Sequence, residues 1–141
     1  MSVQGIEMSD RFVGMPGTMQ GGYIAGLAAD GIDGPTRVRI RRPIHPGDFL
    51  TKTQIPNGSE MHRENELVLI AQRSSIHIDS PVPADISAAK AAMDFDLPFE
   101  SPYPNCIGCR HSDEGMRVSI RGLDDGKHDV AVCTPSARWG N

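Results

Sequence analysis

Between residues 20 and 30 the apolar positions Ile24, Leu27 and Ala28 recur at helical spacing, and from Thr36 onward the pattern switches to alternation. The spacing predicts a helix over 20–30, stopped by Gly31, Gly34 and Pro35. Its surface carries Gly21, Gly22, Ala25, Gly26 and Ala29, and a helix with so little side chain is usually packed closely by something else. The segment 36–74 supplies the wrapper. Arg37, Arg39 and Arg41 alternate with Val38 and Ile40, which describes a strand with one buried face. Pro43, Pro46, Gly47 and Asp48 mark a turn, and 49–55 resumes the extended pattern. Asn57-Gly58 is a strong hairpin signal, so the strands flanking it should pair antiparallel. The apolar run 67–71 predicts a central strand covered on both faces. One helix followed by an antiparallel meander is the expected order, an α+β fold.

Beyond this region the pattern weakens. Residues 79–105 are rich in Pro, Ala, Ser and Asp and read as a connector; Asp85 can cap a short helix over 83–93, ahead of a Pro-rich stretch at 97–104. Residues 106–141 predict a loop and a hairpin, with strands near 115–121 and 128–134 around Asp124-Asp125-Gly126. The expected organisation is thus 1–78, 79–105 and 106–141, and no short-period repeat is present.

Composition narrows the function classes. At 141 residues, 38% hydrophobic and a net charge of -4, the chain has the make-up of a soluble globular domain. Acidic residues outnumber basic ones, so a domain-wide field for nucleic acid is absent. The first residues lack a basic stretch leading into an apolar one, and no run of about 18 apolar residues occurs, so a cytoplasmic protein that does not span a membrane is expected. Three cysteines argue against a disulfide framework and leave free thiols or a metal.

Two places carry candidate chemistry. Gly21 and Gly22 open the helix, where backbone N–H groups have no intrahelical acceptor and suit a carbonyl oxygen or an anion; alternatively the glycines only permit close packing against the sheet. Cys106 and Cys109 have zinc-ligand spacing, with His111 and Cys133 to complete four ligands; the other reading is a structural turn with reduced thiols.

The order helix, strand, Arg41-Arg42-Pro43, Pro46-Gly47-Asp48, strand, Asn57-Gly58, apolar strand resembles the hot-dog fold of acyl-CoA thioesterases, a curved antiparallel sheet wrapped around a central helix. Pro104-Asn105-Cys106-Ile107-Gly108-Cys109, Glu114-Gly115-Met116-Arg117 and Trp139 are similar to signposts that open the second half of bacterial thioesterase-like proteins with two hot-dog halves. The resemblance implies a first half followed by the opening strands of a second. It also implies a site: Gly21 and Gly22 as oxyanion donors, with Gln20 where many relatives have His and its amide orienting a carbonyl or water. Tyr23, Arg41, Arg42 and His45 would bind substrate; the guanidinium groups, with Arg37 and Arg39, suit CoA phosphates, although such a strand face also serves as a solvated face or a dimer contact. Relatives carry a carboxylate where this chain has Ala29. Asp30 is adjacent but rotated by about 100°, and stands as the candidate general base or as a solvated residue at the helix end. No cofactor is implied. The expected partners are an acyl-CoA or related thioester and a second copy of the chain. A non-catalytic acyl-CoA binder and a zinc-stabilised interaction module are the alternatives.

Overall fold

The computed structural model describes residues 3–77, 79, 87, 103–109, 115, 118–122 and 129–133. Two contact units divide the chain, 1–78 and 79–141. The first unit begins with a strand that hydropathy did not reveal, β1 (Val3–Glu7), because its apolar residues Val3 and Ile6 are three apart and set up no two-residue period. A 3-10 turn at Asp10–Phe12 leads to α1 (Gly21–Ala29), and β2 (Thr36–Ile40), β3 (Phe49–Ile55), β4 (Gly58–Arg63) and β5 (Glu66–Arg73) follow. The strands form one antiparallel five-stranded sheet in the order β1-β3-β4-β5-β2, with α1 packed against β2, β4 and β5. This is an α+β fold. Ile24 and Ala28 of α1 meet Leu50, Met61, Leu69 and Ala71 in the buried core.

The simple meander needs one correction. β3, β4 and β5 are consecutive neighbours, but β2 lies on the far side of β5, with Arg39 opposite Ile70, and β1 takes the place beside β3. Turn signals specify hairpins, and the stretch with Pro43, Pro46 and Gly47, the glycine at φ 84°, instead carries the chain past β5 and β4.

The β3–β4 hairpin turns on Pro56 and Asn57, with Asn57 at φ 60°. Proline in front of a positive-φ Asn is the signature of a type II turn, since proline cannot adopt the positive φ that a type I′ turn requires. Gly58 therefore falls in β4, where it permits a close approach of the neighbouring strand. A Cβ there would stand 2.2 Å from the carbonyl oxygen of Ala71.

The apolar run in β5 is not covered on both faces. Met61 pairs with Leu69 and His62 with Leu67, so the register slips and Val68 bulges out of the ladder. The bulge lets the consecutive residues Val68 and Leu69 both reach the core, while Leu67 and Ile70 stay half-buried.

In the second unit β6 (Val118–Gly122) and β7 (Asp129–Cys133) pair antiparallel, Val118 opposite Cys133. Their connecting residues lie outside the described residues, as does the short helix expected over 83–93 apart from Ser87, which is helical. Among the described residues no helix is long and apolar enough to cross a membrane.

Candidate functional site at the ends of the helix

Gln20 has extended backbone at the N-cap of α1, and its Oε1 accepts the Tyr23 N–H at 2.6 Å. The approach to the helix is tied down on both sides: the Gln20 N–H donates to Phe12 O and the Met19 N–H to Ile44 O, each at 2.8 Å. The Phe12 and Tyr23 rings stack with centroids 3.9 Å apart and planes 10° from parallel. With Tyr23 N–H taken by the cap, the N–H groups of Gly21 and Gly22 donate to no partner among the described residues, and both glycines are exposed. A Cβ on Gly21 would come 3.9 Å from Ile40 Cδ1, and one on Gly22 would come 3.1 Å from Gln20 Oε1. Gln20, Gly21, Gly22 and Tyr23 thus lie together as the motif suggested. Phe12 and Ile40 join them; alternation had already put Ile40 on the helix side, whereas nothing in the local sequence marked Phe12.

Two roles change. Gln20 Oε1 is committed to the cap, so only its amide N–H₂ is left to orient a bound group. Asp30 is the C-cap, its N–H donating to Gly26 O at 3.0 Å, and its side chain is 83% exposed. It lies eight positions along the chain from Gly22, about 12 Å at the standard helical rise. The structure does not bring Asp30 to the glycines.

The C-terminal end of α1 holds a residue that no sequence motif marks. Lys52, only 4% exposed, donates from Nζ to Leu27 O at 2.7 Å and to Asp30 O at 2.8 Å. Ser59 Oγ donates to Ala28 O at 2.5 Å. Side chains from the sheet thus satisfy three of the last helix carbonyls, and the lysine charge sits at the negative end of the helix dipole. The signal was present in the alternation of β3, because Lys52 shares the inward phase of Leu50.

The basic residues divide into two groups. Arg42 Nε donates to Glu66 Oε1 at 2.8 Å, and Arg63 donates to Glu66 Oε2 at 3.0 Å and Asp48 Oδ2 at 2.9 Å. The same Asp48 oxygen accepts the His45 N–H at 2.9 Å, and His45 Nδ1 lies 2.5 Å from Gly17 O. Arg42 and His45, expected to contact substrate, are therefore engaged in holding the 45–48 turn and its neighbours. Hydrogen bonds from Arg63, then from Arg42, hold the Glu66 carboxyl below its ordinary value of 4.5, and Glu66 and Asp48 hold the Arg63 guanidinium above its own. A carboxylate with a depressed folded-state pKa adds stability above its unfolded pKa and loses it as pH falls through the folded one. Acid titration of the wild type below about pH 4.5 should thus show a loss of stability that is shallower in Glu66→Gln. Parallel acid-unfolding curves for the two proteins would refute the contribution of this network.

Arg37, Arg39 and Arg41 stay exposed. In the second unit the Cys109 N–H donates to Cys106 O at 3.1 Å and the Cys106 N–H to Tyr103 O at 2.9 Å, a pair of successive turns. Among the described residues no group of three metal-ligating side chains converges; His111 and the Cys133 side chain lie outside them. Surface depressions of about 480 Å³ at Glu7–Asp10 and Gly47 and about 640 Å³ at Asn57 and Arg73 are not lined by the glycine pair, which is a surface feature of the single chain. No protein-family model, curated protein or solved structure matches this chain.

Proposed function

We propose that the chain is a hot-dog protein that binds an acyl thioester, with the thioester carbonyl at the N–H groups of Gly21 and Gly22. The observation that carries this reading is the pair of donors at the start of α1 that no described residue claims, beside the exposed Ile40. Two N–H groups and the positive end of the helix dipole stabilise negative charge on a carbonyl oxygen, and neither glycine has a Cβ to hold an acyl group away. Ile40 and the stacked Phe12 and Tyr23 offer apolar surface nearby. CoA is the proposed thiol, its phosphates met by Arg41 together with Arg37 and Arg39.

Binding takes precedence over hydrolysis in this reading. The relatives' carboxylate position holds Ala29, and Asp30 is at the far end of the helix. A homodimer is part of the proposal: Gly22 and Gly26 are exposed, a Cβ on Gly26 would meet nothing within 4 Å, and two such helix surfaces can approach closely around a two-fold axis. The second copy would then enclose the glycine pair.

The test combines acyl-CoA binding by calorimetry with thiol release across acyl chain lengths, on the wild type and Gly22→Val. The valine crowds the Gln20 cap as well as the oxyanion position, so a stability loss of about 1 kcal/mol is expected alongside a fall in affinity of about tenfold or more. Wild-type affinity in the folded variant would remove the glycines from the site, and no thiol release above background would restrict the activity to binding.

A further inference from the structure

Beyond the C-terminal end of α1 lies a small polar cleft of about 160 Å³, bordered by Gly31, Asp33, Gln54, Asn57 and Arg73 among others. Its backbone is pinned at three points. The Ile32 N–H donates to Ala29 O at 2.9 Å, the Arg73 N–H to Asn57 O at 2.8 Å and the Ser74 N–H to Pro35 O at 2.8 Å. Gly31 and Gly34 shape the loop on either side of Asp33 at φ 79° and 88°, a region that favours glycine. The Arg73 side chain lies beside Gly34, where an added Cβ would come 3.7 Å from its Nε.

Asp33 is the acid of this lining and Arg73 its base, and both are exposed. Among the described residues they form no ion pair with each other or with any other group, whereas Arg42 and Arg63 are each matched to Glu66. Gln54 turns its Nε2 toward Asp30 O at 3.4 Å, which leaves Oε1 as an acceptor. Opposite charges that border one cleft without meeting suit a molecule that carries both. A plain anion at Arg73 would have the Asp33 carboxylate beside it, and a plain cation at Asp33 would have the guanidinium.

We infer that this cleft binds a small α-amino acid in its zwitterionic form. The carboxylate of the ligand pairs with the Arg73 guanidinium, whose planar fork suits two parallel hydrogen bonds, and the ammonium donates to the Asp33 carboxylate and Gln54 Oε1. Size sets the class further. The cleft has the liquid volume of about five water molecules, which admits glycine, alanine or serine and excludes an aromatic side chain. The site does not rest on the acyl-thioester reading, because the glycine pair is at the other end of α1.

NMR titration of the full chain tests it, with glycine, alanine and serine as ligands and phenylalanine, glycinamide, N-acetylglycine and inorganic phosphate as controls. The three small amino acids should shift the amide signals of residues 31–34 and Asn57 with about millimolar affinity, and each control should bind about tenfold more weakly or worse. Arg73→Gln and Asp33→Asn, both at exposed positions, should each weaken glycine by about tenfold while the rest of the spectrum stays in place. No shift with any of the three amino acids at about ten times that concentration would overturn the inference. So would N-acetylglycine or phosphate binding as tightly as glycine, which would reduce the cleft to an anion site at Arg73. Equal binding of glycinamide or phenylalanine, or an unchanged affinity in either variant, would overturn it as well.

Discussion

Replacing Lys52 with methionine is expected to lower the free energy of unfolding by about 2–3 kcal/mol, although methionine fills nearly the same space. Leu27 O and Asp30 O both accept from Lys52 Nζ, and the lysine is almost wholly buried. Exchanging a buried ion pair for apolar residues can be neutral when both partners are removed. Here the partners are backbone carbonyls, which no substitution can remove, so Leu27 O would lose the lysine donor and Asp30 O would keep only Gln54 Nε2 at 3.4 Å. Asp30 contributes little to the charge balance, because its carboxylate is 3.9 Å away and exposed. Lys52→Ala should be worse by a further increment for the cavity it leaves. Urea unfolding of the three proteins measures both steps. A midpoint for Lys52→Met equal to that of the wild type would mean that water serves these carbonyls as well as the ammonium does.

Gly58→Ala should be the most damaging single-methyl change in the sheet, about 3 kcal/mol or more. The new Cβ would lie 2.2 Å from Ala71 O, a backbone atom inside the β4–β5 ladder, so relief requires the two strands to separate. The same substitution at Gly26 makes the contrast. Its Cβ enters open space on the helix of the single chain, where alanine is preferred over glycine by up to about 1 kcal/mol, so Gly26→Ala should raise the melting temperature at concentrations where the chain is a monomer and weaken the proposed dimer. Thermal unfolding of the pair reads both signs. Equal melting of Gly58→Ala and the wild type would contradict the close approach of β4 to β5.

Much of the first unit was legible because its signals are local. The 3.6-residue spacing of Ile24 and Ala28 marked α1, and the glycines opening it marked the free N–H groups. The alternation in β2 placed Val38 and Ile40 on the helix side and the arginines away from it. Asn57 marked the β3–β4 turn, although proline in front of it selected a different turn type and released Gly58 to the strand. β1 escaped detection because a five-residue strand with two apolar residues on opposite faces carries almost no periodic signal.

Local sequence was sufficient for the helix, the turns, the inward and outward phase of β2, and the glycine pair at the helix start, because each depends on neighbours within a few residues. Folding in three dimensions was needed to set β2 outside β5, to turn Val68 into the core through a bulge, to join Glu66 to Arg42, and to bring Lys52 to the far end of the helix. The two side-chain contacts join groups 24 and 25 residues apart in sequence, and the other two outcomes depend on strand order and register. Composition and spacing do not encode which distant groups meet. The same physics separates the two ends of α1: exposed glycines leave donors that no described residue claims at its start, while the sheet brings a buried cation and a hydroxyl to the acceptors at its end.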